Sequence, residues 1–168
     1  TVDPSGKNAY VTNQGSNNVS QYTIGADGSL TSMATAIVAA GLGPDFVTID
    51  PSGKYAYVAN ALGNNVSQYT IGADGSLTPM ATATVAAGAN PYSVAVDPSG
   101  KYAYVANYTS DVSQYTIGAD GSLTPMTPAT VAAGTSPRSV TVDPSGKYAY
   151  VANHTTNNVS QYTIGANG

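Results

Sequence analysis

The sequence has no glutamate, no cysteine and no tryptophan, and it holds a single phenylalanine, a single histidine and a single arginine in 168 residues. Each shortage removes something. Without cysteine there are no disulfides and no thiolate metal sites, and the redox compartment is left open. Five basic residues against nine aspartates, a net charge of −4, leave no electrostatic footprint for nucleic acid. No apolar run approaches the roughly 20 residues that span a bilayer as a helix. No leader-like segment precedes the first repeat, as expected of a mature product or a fragment. Charged residues are 8% of the chain, far below the roughly 25% of an ordinary soluble domain. The surface must then be coated with uncharged polar groups, a bias that suits an extracellular or cell-surface protein. Hydrophobic residues, at 42%, suffice for a core.

What is present is repetition. "VDPSGKYAYVAN" stands at Val96–Asn107 and again at Val142–Asn153, with near copies at Ile49–Asn60 and Val2–Asn13. Asp3, Asp50, Asp97 and Asp143 mark the period, the third copy being one residue shorter where "NYTSDVSQY" replaces "NALGNNVSQY". The repeats start near residues 2, 49, 96 and 142 of a single domain spanning 1–168. Such a period of 20–50 residues is the signature of solenoids, propellers or arrays.

Within one period the pattern has period two, the mark of strands. "SVAVD" alternates. "KYAYVAN" sets Tyr102 and Tyr104 opposite Ala103 and Val105, and "VSQYTIG" sets Ser67, Tyr69 and Ile71 opposite Val66, Gln68 and Thr70. "TATVAAG" is a weaker outer strand. "DPSGK" and the Asp-Gly of "GADGS" supply hairpin turns. Four short antiparallel strands per period predict an all-β propeller of four-stranded blades, about four of them. A β-solenoid has shorter periods without Asp-Gly hairpins, and a sandwich needs no near-identical units. The supply is uneven: four second and four third strands, three fourth strands, and three complete first strands, with "TVD" as the stub of another.

"AYVTN" at Ala9–Asn13, with "AYVAN" in the other three copies, resembles the YVTN-type β-propeller repeat, a family common in surface-layer and lactonase-like propellers. The resemblance covers the whole chain. It implies a ring that is commonly seven-bladed, with sequence repeats displaced from structural blades, and it implies no single activity.

Differences between copies gather in the second-to-third loop ("NQGSNN", "NALGNN", "NYTSD", "NHTTNN") and the loop between units ("GLGPDF", "GANPYS", "GTSPRS"). In an up-down meander both lie on one rim. Asp45, Tyr92 and Arg138 share the position after proline, and Phe46, Tyr108 and His154 lie on the same rim. Drift in loops that do not pack accounts for this variation. The sharper alternative is a polar-aromatic rim binding glycan or peptide, with Arg138 its leading residue.

Catalysis is not expected. Glutamate is absent, Arg138 and His154 fall in different copies, and the repeated aspartates read as caps of their own turns. No cofactor or metal is implied, since "DPSG" and "ADGS" lack the spaced carboxylates of a calcium loop. The "SGK" lysines follow one glycine with no helix behind them. N-x-S/T triplets at Asn18, Asn65, Asn107, Asn153 and Asn158 are candidate glycan acceptors. The expectation is therefore a structural or recognition module of the cell surface, with a lactone or sugar-acid hydrolase, or a filament-forming surface protein, as alternatives. Bare blade faces at both ends of a partial ring predict self-association, closing a seven- or eight-bladed ring or giving a fibre.

Overall fold

The computed structural model describes residues 1–168 as fourteen antiparallel strands in four sheets, with no helix. The first sheet holds β1 (Asn8–Asn13), β2 (Asn18–Ile24) and β3 (Leu30–Ala39). The second holds β4 (Pro44–Ile49), β5 (Tyr55–Asn60), β6 (Asn65–Ile71) and β7 (Leu77–Ala86). The third holds β8 (Pro91–Val96), β9 (Tyr102–Asn107), β10 (Asp111–Ile117) and β11 (Leu123–Ala132). The fourth holds β12 (Pro137–Val142), β13 (Tyr148–Asn153) and β14 (Asn158–Thr163). Each sheet is a propeller blade wound from the inside out. In blade 1 the stub "TVD" supplies one bridge, Val2 to Ala9, in place of an inner strand.

The turns form for local reasons. In Asp50-Pro51-Ser52-Gly53 the proline fixes φ, and Gly53 adopts φ +72° as its N–H reaches Asp50 O at 2.9 Å. The Asp50 carboxylate accepts the N–H groups of Ser52, Lys54 and Tyr55 at 2.8–3.0 Å. Asp3, Asp97 and Asp143 cap their turns in the same way. "GADGS" closes as a three-residue loop, Gly25 N–H to Ser29 O, with Gly28 left-handed at φ +82°.

The outer strand differs from the expected "TATVAAG". It begins five residues earlier, at Leu77, and is split by a bulge: Tyr69 faces Pro79 while Ser67 faces Thr84. The residues between put its two halves out of phase, which hides the alternation. Gln68 spans the gap, donating its amide N–H to Thr82 O at 2.9 Å.

The core consists of three apolar seams between blades. Tyr57, Ala59 and Val66 of blade 2 meet Val94, Ala103, Val105, Tyr115 and Leu123 of blade 3, and the flanking seams repeat this set. Hydroxyls of this repeated pair lock the first two seams in both directions, whereas in the third Tyr162 donates and Tyr104 has no partner. Tyr10 and Tyr57 donate forward to Gly75 O (2.6 Å) and Gly121 O (2.7 Å). Tyr69, Tyr115 and Tyr162 donate backward to Ala39 O, Ala86 O and Ala132 O. Burial, then the fields of Asp3 and Asp74, pushes the Tyr10 hydroxyl up to about 12, so it stays a donor. The blades begin at Pro44, Pro91 and Pro137, about five residues before the sequence repeats, so the two are displaced as the resemblance implies.

Removing a buried hydroxyl that satisfies a carbonyl costs about 1–2 kcal/mol. Tyr57→Phe is expected to lower the urea unfolding free energy by about that amount. Tyr104→Phe, at the equivalent position of blade 3 but with a buried, unbonded hydroxyl, is expected to be neutral or stabilising. Equal losses in the two variants would show that these hydroxyls do not set the seam.

Candidate functional site

The loops between units and the second-to-third loops share one rim, where backbone hydrogen bonds join them: Ala61 N–H to Gly43 O, Tyr108 N–H to Asn90 O, and His154 N–H to Ser136 O. Gly43, Asn90 and Ser136 all adopt left-handed φ, at +62°, +53° and +59°. This conformation is costly for a serine and persists where surrounding bonds hold it. Each is followed by the proline that opens an inner strand, so Asp45, Tyr92 and Arg138 sit at matched positions on consecutive blades.

The structure brings three of the predicted rim residues into contact. The Arg138 guanidinium lies over Tyr92, 4.2 Å from the ring centroid, and 5.3 Å from that of Tyr108. The two rings meet edge to face, 5.6 Å apart. A planar cation held on aromatic faces keeps its N–H fork free for a planar anion. Arg138 also shares a depression of about 410 Å³ with His154, Asn153, Asn157 and Asn158. Arg138 and His154 thus belong to one blade and one depression, correcting their assignment to different copies. The sequence period starts inside the blade and divides them.

Asp45 stands on blade 2. Burial raises its carboxyl, and Arg138 partly offsets that rise. Its backbone carbonyl accepts Thr12 Oγ1–H and its Oδ1 accepts the Gln14 amide. Phe46 is 41% exposed and, together with Asp45, lines a depression with Thr1, Tyr10 and Val11 that is separate from the one holding Arg138 and His154. Among the glycan candidates, Asn107 and Asn153 are buried, and their amide nitrogens are donated to Asp111 and Ser113, and to Asn158 and Ser160. Those two are withdrawn as acceptors. Asn18 and Asn65 are half-buried and Asn158 is exposed. The lining role of Asn157 and Asn158 was missed because "NNVSQ" reads as scaffold. No local signal in the sequence marks them, since Asn17 and Asn64 share the left-handed φ of Asn157. No group of three or more histidine, cysteine or acidic residues gathers anywhere in the chain.

The family model described as "Lactonase, 7-bladed beta-propeller" matches residues 1–168. No curated protein sequence matches the chain. Among solved structures, a provisionally named 6-phosphogluconolactonase of Bacteroides uniformis superposes with TM-score 0.88 at 23% identity, over 99% of this chain and 50% of that one. Another, from Bacteroides fragilis, gives TM-score 0.85 at 28% identity, over 97% and 49%. The periplasmic gluconolactonase of Pseudomonas aeruginosa gives 0.85 at 19% identity, over 97% and 48%. The chain spans about half the length of these relatives. The family match overturns the expectation that this is no enzyme, and it names the lactonase family rather than the narrower YVTN-type repeat.

Two aspartates are expected to respond oppositely to pH. Asp45, raised, holds its proton more tightly when folded, so it costs stability at neutral pH, and the cost is relieved as pH falls through its raised value. Asp143 is held low, chiefly by the Ser145 hydroxyl and also by backbone N–H groups. Its contribution is present above the ordinary carboxylate value and is lost as pH falls through the lowered one. Urea midpoints at neutral pH should rise for Asp45→Asn and fall for Asp143→Asn, both differences shrinking in acid. A rise for both variants would refute the assignment.

Proposed function

The chain belongs to the lactonase family of seven-bladed β-propellers, and from that premise we propose that it forms part of a lactone-hydrolysing ring whose rim binds a sugar-acid lactone at Arg138 and His154. The observation that carries this reading is the convergence of the chain's only arginine and only histidine in one depression, the arginine lying over two tyrosines that meet edge to face. The relatives named as gluconolactonase and 6-phosphogluconolactonase support the substrate class.

The chemistry required is modest. Water adds to the lactone carbonyl carbon while a base takes its proton. The carbonyl oxygen becomes an oxyanion. The ring C–O bond then breaks as the alkoxide leaving group is protonated, giving the open hydroxy acid. His154, with a side chain open to solvent, serves as the proton acceptor. The Arg138 fork binds the carboxylate or phosphate of an anionic lactone, or faces the developing oxyanion. Asn157 and Asn158 line the same depression and offer neutral donors to sugar hydroxyls. Tyr92 and Tyr108 hold the guanidinium in place. With the chain at about half the length of its relatives, further blades of the ring border this depression and share in the site.

A pH-stat assay with gluconolactone and its 6-phosphate tests the reading. His154→Gln is expected to lower kcat by about 10²-fold, the lower end of what general acid–base catalysis contributes. Arg138→Ala is expected to raise KM more for the phosphorylated lactone than for the neutral one. Turnover no faster than buffer, or variants indistinguishable from the parent, would overturn it.

A further inference from the structure

The turns at Gly43, Asn90 and Ser136 present Asp45, Tyr92 and Arg138, and the last of them is braced differently from the others. The N–H groups of Gly43 and Asn90 donate to the side-chain oxygens of Asn17 and Asn64 on the preceding blade, at 2.8 and 2.9 Å. Asn90 adds a second bond across the same seam, from its side-chain amide to Ala61 O. Ser136 has no counterpart of these ties, because Ser110, in the loop shorter by one residue, stands where Asn64 offers its amide oxygen. The hydrogen bonds of Thr135 and Ser136 stay within blade 4. At the rim, what crosses that seam is the Arg138 guanidinium over Tyr92 and Tyr108.

Ser136 is also the odd residue for its backbone. At φ +59° it holds the left-handed conformation that blade 2 gives to a glycine and blade 3 to an asparagine, both of which adopt it at lower cost. It is buried, and two bonds hold it. Its carbonyl accepts His154 N–H at 2.9 Å, and its hydroxyl accepts Thr155 Oγ1–H at 2.8 Å. The hydroxyl pair belongs to this blade alone, since its counterparts are Gly43 with Leu62 and Asn90 with Thr109. Strain that is kept where a permissive residue would fit points to a role at the site it shapes. Arg138 follows directly after Pro137, whose φ is fixed, and His154 directly precedes Thr155. One serine therefore ties the segment that presents the guanidinium to the segment that presents the imidazole.

We propose that Ser136 is a positioning residue of the lactone site, its clasp with Thr155 holding Arg138 against Tyr92 and beside His154 in place of the brace that the other turns take from the preceding blade. Glycine would relieve the backbone and asparagine would tolerate it, but neither offers the short hydroxyl that meets Thr155. The result is a fixed register between an anion-binding fork and a base, which the two need if they are to act on one substrate. The catalytic part of this role rests on the lactone reading above, whereas the placement of the guanidinium does not.

The test uses the 168-residue protein labelled with nitrogen-15. Its only arginine gives a single Nε–H resonance, displaced by the ring current of Tyr92 while the guanidinium lies over that ring. Thr155 is exposed, so Thr155→Val is expected to leave the melting temperature unchanged. The same variant is expected to move the arginine resonance toward that of a solvated side chain and to lower kcat for gluconolactone about tenfold. Ser136→Gly should move the resonance and lower kcat in the same way, the double variant should be no worse than either single one, and Thr155→Ser should restore both readouts. If the parent protein turns over no lactone, the lactone reading fails, and the arginine resonance alone decides the placement. A resonance unmoved in both single variants would overturn the proposal. So would losses that simply add, or a loss of turnover that only follows a fall in melting temperature, since Ser136 would then be a structural residue and nothing more.

Discussion

The hydrogen bond from a tyrosine of one blade to a backbone carbonyl of the next is the contact on which the rest of this structure depends. A chain with so few charges cannot use ion pairs to fix the spacing of its blades, and apolar contact alone has no direction. Tyr57 reaching Gly121 O, with Tyr115 reaching back to Ala86 O, fixes the same seam from both sides. Gln68 adds a third tie by joining its own bulge to Leu123 of the next blade. All three cross a water-poor seam, where an unmade bond is expensive. Small alanines at Ala59 and Ala103 then let the large rings interleave. Repetition of the phrase follows from this, because every blade must present the same donors and the same acceptors.

Fixed seams place the rim. With blade rotation set, the residue after each inner-strand proline recurs at matched positions around the arc, free of packing duties. The loop before it is held in an unfavourable backbone conformation by its bond to the neighbouring loop. In blade 4 that bond runs from His154 N–H to Ser136 O, so the segment that presents His154 also braces the turn that presents Arg138. Across the seam, Tyr92 and Tyr108 of blade 3 receive the guanidinium. The site is thus a product of two blades and of the contact that holds them together.

Strands, turns and blade order were legible in the sequence because each is a local matter: alternation at Tyr102–Asn107, proline and glycine at Pro51 and Gly53, aspartate caps at Asp50. The outer strand was only half legible, since its bulge is filled by a side chain from another strand, Gln68, and nothing local announces that. Variation between copies picked out the rim, including Tyr92, Tyr108 and Arg138, because positions free of the seam are also free to differ. It could not separate Asp45 and Phe46, which line a different depression, nor join His154 to Arg138 across a repeat boundary that is not a blade boundary. Asn107 and Asn153 show the reverse error. A triplet that reads as a glycan acceptor is the buried end of a strand, its amide tied to Ser113 and Ser160.

The shorter third copy shows how little change such a scaffold needs to alter its rim. Deleting one residue turns "NALGNN" into "NYTSD", and Ser110 takes the left-handed place that Asn64 and Asn157 hold, at φ +81° rather than +52°. The loop still closes, Ala133 N–H reaching Ser110 O as Ala87 N–H reaches Asn64 O. Its first residue is now Tyr108, where the other copies carry Gln14, Ala61 and His154. These positions and those of Asp45, Tyr92 and Arg138 are ones at which the copies differ, and they lie on one rim. Along them Asp45 lies on blade 2, the aromatic pair on blade 3, and the guanidinium and imidazole on blade 4. The charge of the rim thus changes sign along the order of four blades whose frameworks are otherwise nearly the same.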